Sequence, residues 1–112
     1  MKQTKQREVF SFLRSLKTGT IIPITVTSRS MEPTLHKGQS VLCMRQTISR
    51  IQTGDIVTFY VPSLDILVTH RVIQIFIDGR QYKFISRGDL CKSEDPWIID
   101  ESLLVGVIHS VK

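Results

Sequence analysis

One stretch constrains the fold of this chain more than any other. Leu67–Ile77 is dominated by β-branched and aromatic residues, and Asp78-Gly79 leads from it into a second such run, Gln81–Ser86. β-Branched side chains favour extended backbone, and a glycine at a turn supplies the backbone freedom that a tight hairpin needs. The pattern predicts a long antiparallel hairpin. A hairpin alone is only marginally stable in water, so the rest of the chain has to supply further strands to pack with it.

It does. Thr20–Thr27 is extended and β-branched, with Pro23 marking an edge strand or a bulge. Val41–Arg45 is a short strand, and Gly54-Asp55 turns the chain into Ile56–Val61. Trp97–Ile99 reads as a short strand and Leu103–Val111 as the last one. Between them, Ser30–Leu35, with Pro33 near its start, is a turn or a single helical turn. The fold class that follows is mainly β, with antiparallel sheets. Only the front of the chain has a different period. In residues 5–17, Val9, Phe12, Leu13 and Leu16 share one face of a helix, and Gly19 is placed to cap its end. The expected organisation is an N-terminal basic amphipathic helix over 1–19 and a β-domain over 20–112.

Charge follows this division. The formal net charge is +5, and residues 1–17 hold five basic residues against Glu8 alone. The body is close to neutral, which argues against a nucleic-acid partner, because such a fold needs a basic face. Residues 5–17 are the segment expected to cover the core, or to touch a membrane surface or a protein partner. No apolar stretch approaches 18 residues and no secretory signal is recognisable, so a cytoplasmic chain, at most peripheral to a membrane, is expected. Cys43 and Cys91 have no metal-ligand spacing and are expected to be free thiols.

The candidate chemistry lies in short boxes. Ser28-Arg29-Ser30-Met31-Glu32-Pro33-Thr34 comes first, then Thr69-His70-Arg71-Val72, then Arg87-Gly88-Asp89 with Asp95 six residues on. A serine is a weak nucleophile and needs a base within hydrogen-bond reach; a histidine serves best when a carboxylate orients it. His70 is the best-placed histidine, since His36 lies in a polar loop and His109 near the C-terminus. Taken singly, each residue reads as ordinary: a turn serine, a half-buried histidine, two turn aspartates. Ser28 is a strand residue or a hydroxyl turned toward an oxyanion beside the Ser30 N–H.

Together, the Ser-x-Ser-Met-Glu-Pro-Thr-Leu, Gly-Asp-Ile-Val-x-Phe, Thr-His-Arg-Val-Ile and Arg-Gly-Asp boxes and the closing Val-Gly-Val-Ile resemble the S24/S26 peptidase superfamily of signal peptidases and self-cleaving repressors. The match runs from about Thr20 to Ile108. His70 stands where the bacterial-type members carry a lysine, so the chain is similar to the histidine branch. The resemblance implies a serine endopeptidase that cleaves an extended peptide and needs no metal or organic cofactor. It implies Ser30 as nucleophile, His70 as base, Asp95 as orienting carboxylate with Asp89 as support or alternative, and Ser28 with Ser30 at the oxyanion. Arg29, where many relatives have glycine, and Met31 are expected in the substrate cleft. The recognisable membrane anchor of signal peptidases is missing, and a leader or signal-like peptide is the expected substrate. The alternative is a non-catalytic β-domain that keeps the groove and binds a peptide or protein partner. The oligomeric state stays open.

Overall fold

A computed structural model describes residues 5–111. Residues 1–4 of the expected N-terminal segment and residue 112 of the expected β-domain lie outside the described residues. The strands are β1 (Ile21–Thr25), β2 (Ser40–Arg45), β3 (Ile56–Val61), β4 (Ile66–Asp78), β5 (Gln81–Arg87), β6 (Ile99–Asp100) and β7 (Leu104–Val111). They form one seven-stranded sheet in the order β1-β2-β7-β3-β4-β5-β6. Every neighbouring pair is antiparallel. The architecture is therefore mainly β with one helix at the front, as the strand pattern implied.

The hairpin that opened the sequence argument joins β4 to β5, with Asp78 opposite Gln81. Its loop is Gly79-Arg80, and Gly79 takes φ +67° at the first central position, where type II′ turns favour glycine. Pro23 sits on β1, an edge strand, where its missing N–H costs least. Register shifts interrupt the β2–β7, β3–β7 and β4–β5 ladders. Such bulges bend a sheet, and both faces of β3 are covered. Val57, Phe59 and Val61 are buried in one cluster with Val68, Val72 and Phe84. Thr58 and Tyr60, on the opposite face of the same strand, are buried as well. A second cluster of Leu13, Ile22, Cys43 and Val105 lies under the helix, and a third of Met31, Leu35 and Val41 lies under the Ser30 turn.

The helix α1 (Lys5–Arg14) is shorter than the apolar period suggested. Ser15 donates its hydroxyl to the Phe12 carbonyl at 2.6 Å, and Leu16 N–H bonds the Leu13 carbonyl, which tightens and ends the last turn. Gly19 is not its cap. Thr20 N–H bonds the Lys17 carbonyl across a turn in which Gly19 takes φ +95°, and Gly19 N–H bonds Arg45 on β2. The helix is docked on the sheet. Phe10 stacks on Tyr60 at 4.6 Å, Leu13 is buried, and Arg14 donates to Glu101 and to the Leu104 carbonyl. The buried Arg45 returns a bond to the Arg14 carbonyl. Val9 and Phe12, expected on the apolar face with Leu13 and Leu16, are instead exposed. No helix among the described residues is long and apolar enough to cross a membrane.

Two further expectations are corrected in detail. The Trp97–Ile99 strand contracts to Ile99–Asp100, because only Phe84 and Lys83 offer it partners. Two short 3₁₀ turns, Ile48–Arg50 and Glu101–Leu103, carry no signal in the sequence period. Cys43 is buried and Cys91 exposed, and both are free thiols. Burial pushes the Cys43 thiol up to about 11, so at neutral pH it is protonated.

β7 is the strand that holds the sheet together, and its Gly106 lies opposite Arg45 on one side and Thr58 on the other. A methyl group there would run into the Met44 backbone carbonyl. Gly106→Ala is expected to cost about 3 kcal/mol of stability, the scale of an overpacked interior. An unchanged urea-denaturation midpoint would show that β7 has room to move.

Candidate functional site

Ser30 follows β1 on a turn that two buried side chains anchor. Met31 and Leu35 are 1% and 0% exposed against Val41, and Leu35 N–H bonds the Met31 carbonyl. His70 is on β4, where alternation places it on the same face as the buried Val68 and Val72. Asp95 belongs to the irregular segment after β5. Its N–H bonds the Ser86 carbonyl at 2.8 Å, which fixes the carboxylate beside β4.

These three side chains meet in a line. Ser30 Oγ lies 2.9 Å from His70 Nε2, and His70 Nδ1 lies 2.6 Å from Asp95 Oδ2. The His70 and Asp95 side chains are 10% and 9% exposed. When the imidazole is neutral and the carboxyl ionised, Nδ1 carries the proton and donates to Asp95, and Nε2 is left to accept from the Ser30 hydroxyl. Ser28 Oγ is 3.0 Å from Ser30 Oγ and accepts a 3.4 Å bond from Ser30 N–H. A half-buried polar line of this kind can pass a proton from a hydroxyl to an imidazole, the first need of an activated serine.

Asp89 is not part of that line. It takes a two-pronged bond from Arg71, at 2.9 and 2.7 Å, and a 2.6 Å bond from the Thr34 hydroxyl. The bond from the Arg71 guanidinium, together with Thr34, holds the Asp89 carboxyl below its ordinary range. Its turn still serves the site. Leu90 N–H bonds the Ser30 carbonyl at 2.8 Å, and Asp89 N–H bonds the Met31 sulfur at 3.4 Å. Met31 is thus a core anchor as well as a groove-lining residue. Arg29, expected in the cleft, is exposed and does not line the groove. Ser28 and Ser30 line the groove, and the residue between them does not.

Two contributors, Ser86 and Gly88, were not singled out from the sequence. Ser86 is fully buried and donates its hydroxyl to Asp95 Oδ2 at 2.6 Å. A serine in the apolar β5 run was the available signal. Gly88 was read only as a turn residue, yet a Cβ there would stand 2.7 Å from the Ser30 carbonyl and 3.1 Å from His70 Nε2. That close approach requires glycine. Trp97 lines the groove, and its indole Nε1 is buried with no hydrogen-bond partner.

The line of side chains opens on a groove of about 530 Å³. One wall is the end of β1 and its continuation, Ile24–Ser28, and the other is Ile66–His70 of β4. β1 pairs only with β2. β4 pairs with β3 over Ile66–Arg71, and its pairing with β5 begins at Arg71. Both walls therefore present a strand edge without a strand partner, the arrangement onto which an extended peptide can add. Among the described residues, no three His, Cys, Asp or Glu side chains gather to hold a metal ion.

Comparison with known proteins bears on the same residues. The family model described as "Signal peptidase, peptidase S26" matches residues 9–91, a span that contains Ser30, His70 and Asp89 and ends before Asp95. The human signal peptidase complex catalytic subunit SEC11C is 36% identical over 86 residues, 75% of this chain and 45% of its own length. The subunit SEC11 of Chaetomium globosum is 34% identical over 73 residues, 64% of this chain and 42% of its own. The chain thus spans a little under half the length of these relatives.

Asp89 offers a test with a fixed sign. Its carboxyl is depressed in the fold, so its contribution to stability is complete above the unfolded value of about 4 and is lost as pH falls through the folded value. Asp89→Asn is expected to lower stability at pH 7 by about 1–3 kcal/mol. The gap between the two proteins should close below about pH 4, read as urea midpoints against pH. A gap that stays constant into acid would contradict the ion pair with Arg71.

Proposed function

The chain belongs to the signal peptidase S26 family, and from that membership we propose that it is a serine endopeptidase acting on a leader or signal-like peptide. The observation that carries the reading is the half-buried line from Ser30 Oγ through His70 to Asp95 at the edge of a groove walled by two open strand edges. The relatives' description as catalytic subunits of a signal peptidase complex supports the substrate class and a protein partner.

The chemistry follows from the geometry. A peptide lies extended in the groove, and its main chain pairs with an open edge. Ser30 Oγ attacks the scissile carbonyl carbon while His70 Nε2 takes the hydroxyl proton. The oxygen that becomes negative needs donors, and the Ser30 N–H and the Ser28 hydroxyl, which contact each other in the free protein, are assigned that role. Asp95 keeps His70 in the accepting tautomer and steadies the imidazolium that forms. His70 then hands the proton to the departing amine, leaving an acyl group on Ser30. Water, deprotonated by the same imidazole, releases the second product and restores the serine. Ser86 acts through Asp95 as a positioning residue, and Gly88 lets the turn approach the imidazole.

A pool of synthetic peptides, read by mass spectrometry with wild type and Ser30→Ala side by side, tests this directly. Cuts are expected in the wild type and none in the variant. Asp95→Asn should slow cleavage by about 10²–10⁴-fold while the protein stays folded. Cleavage should fall on acidification, since only the neutral imidazole accepts the proton. Peptide binding without Ser30-dependent cuts would instead mark a binding module on the peptidase fold.

A further inference from the structure

The groove extends well beyond the reacting residues. From His70 to Ile66 the β4 wall runs four residues, about 13 Å at the rise of a strand. An extended peptide advances at the same rate, so its fourth residue from the scissile bond lies against Ile66. At that end the surroundings change. Near Ser30 the groove is floored by Met31 and Val26, which pack on the cluster beneath the Ser30 turn. Ile24 packs against that cluster and also against the one beneath α1, Leu67 against the latter alone, and Gln6 of α1 lines the same groove. Ile66 is 37% exposed, an apolar side chain left open to water beside the groove.

We propose that Gln6, Ile24 and Ile66 form a distal subsite for a large aliphatic or aromatic side chain of the substrate, four residues from the scissile bond. This rests on the peptidase reading and assigns α1 a part in choosing the substrate. Two observations carry it. The helix is clamped at its other end by Leu13, by the Phe10–Tyr60 stack and by Arg14, so the position of Gln6 is set by the fold rather than by a loose tail. Apolar walls at Ile24 and Ile66 gain by being covered, and a bulky apolar residue covers them best. The Gln6 amide, which both donates and accepts, suits the main chain of the same peptide residue. A charged residue there would lose its water against Ile24 and Ile66 without a partner.

The test uses the full chain and decapeptides that share one cleaved core and vary only at the fourth residue on either side of the bond. On the side that runs along β4, Leu or Phe is expected to be cleaved about tenfold faster than Asp or Lys, the scale of a single hydrophobic contact. Gln6→Glu and Ile66→Asp should each raise the relative rate for Lys at that position. A gained preference cannot come from misfolding. Ser30-dependent cleavage that ignores the fourth residue, or a selectivity that both variants leave unchanged, overturns the subsite and leaves the peptidase reading intact. Absence of any Ser30-dependent cut overturns both.

Discussion

The arrangement of this molecule depends on where β4 changes partners. Its first half is held by β3 and its second half by β5, and the exchange falls at Arg71, next to His70. A continuous strand of 13 residues crossing such a junction is stiff, because both of its halves are pinned by ladders. His70 therefore sits at a fixed point, with one strand edge beside it left open. The groove, the imidazole and the unpaired edge share one origin in the register of two hairpins.

Much of the architecture was legible because it is written in local periods and turn residues. The bounds of β3 match the expected run, Pro23 marks an edge strand, and the Gly79 turn sets the β4–β5 register. What escaped was set by neighbours distant in sequence. The helix stops early because Ser15 finds a carbonyl, and Gly19 is claimed by a bond to Arg45 rather than by the helix end. Alternation and strand length could not show that β3, in the middle of the sheet, is buried on both faces.

The site divides in the same way. Residue types and their order in the chain suggested Ser30, His70 and a carboxylate, and these are brought together across 40 and 25 residues of sequence. Their roles in catalysis are the proposal made above. The order could not choose between Asp89 and Asp95, nor reveal Ser86 beneath the carboxylate or the clearance that Gly88 provides. Arg29 lies between two groove-lining serines in sequence but is not among the residues that line the groove. A half-buried polar line is costly unless each member is satisfied, and here Asp95 Oδ2 receives both His70 and Ser86 while Ser30 is held through its carbonyl by Leu90.

The separation of the two aspartates has a simple cause in strand geometry. Successive side chains on β4 face opposite ways, so His70 turns toward the buried face and Arg71 away from it. The segment that leaves β5 passes both faces in turn. Its first carboxylate, Asp89, meets the guanidinium of Arg71 together with Thr34 from the Ser30 turn. Its second, Asp95, is returned by its bond to Ser86 to the face where the imidazole lies. A guanidinium claims one acid and an imidazole claims the other. The first pairing fixes the Ser30 turn to β4 at any pH where Asp89 is ionised. The second sets a carboxylate against the imidazole at 2.6 Å. The two-residue period of a single strand thus sorts two chemically identical side chains onto two different partners.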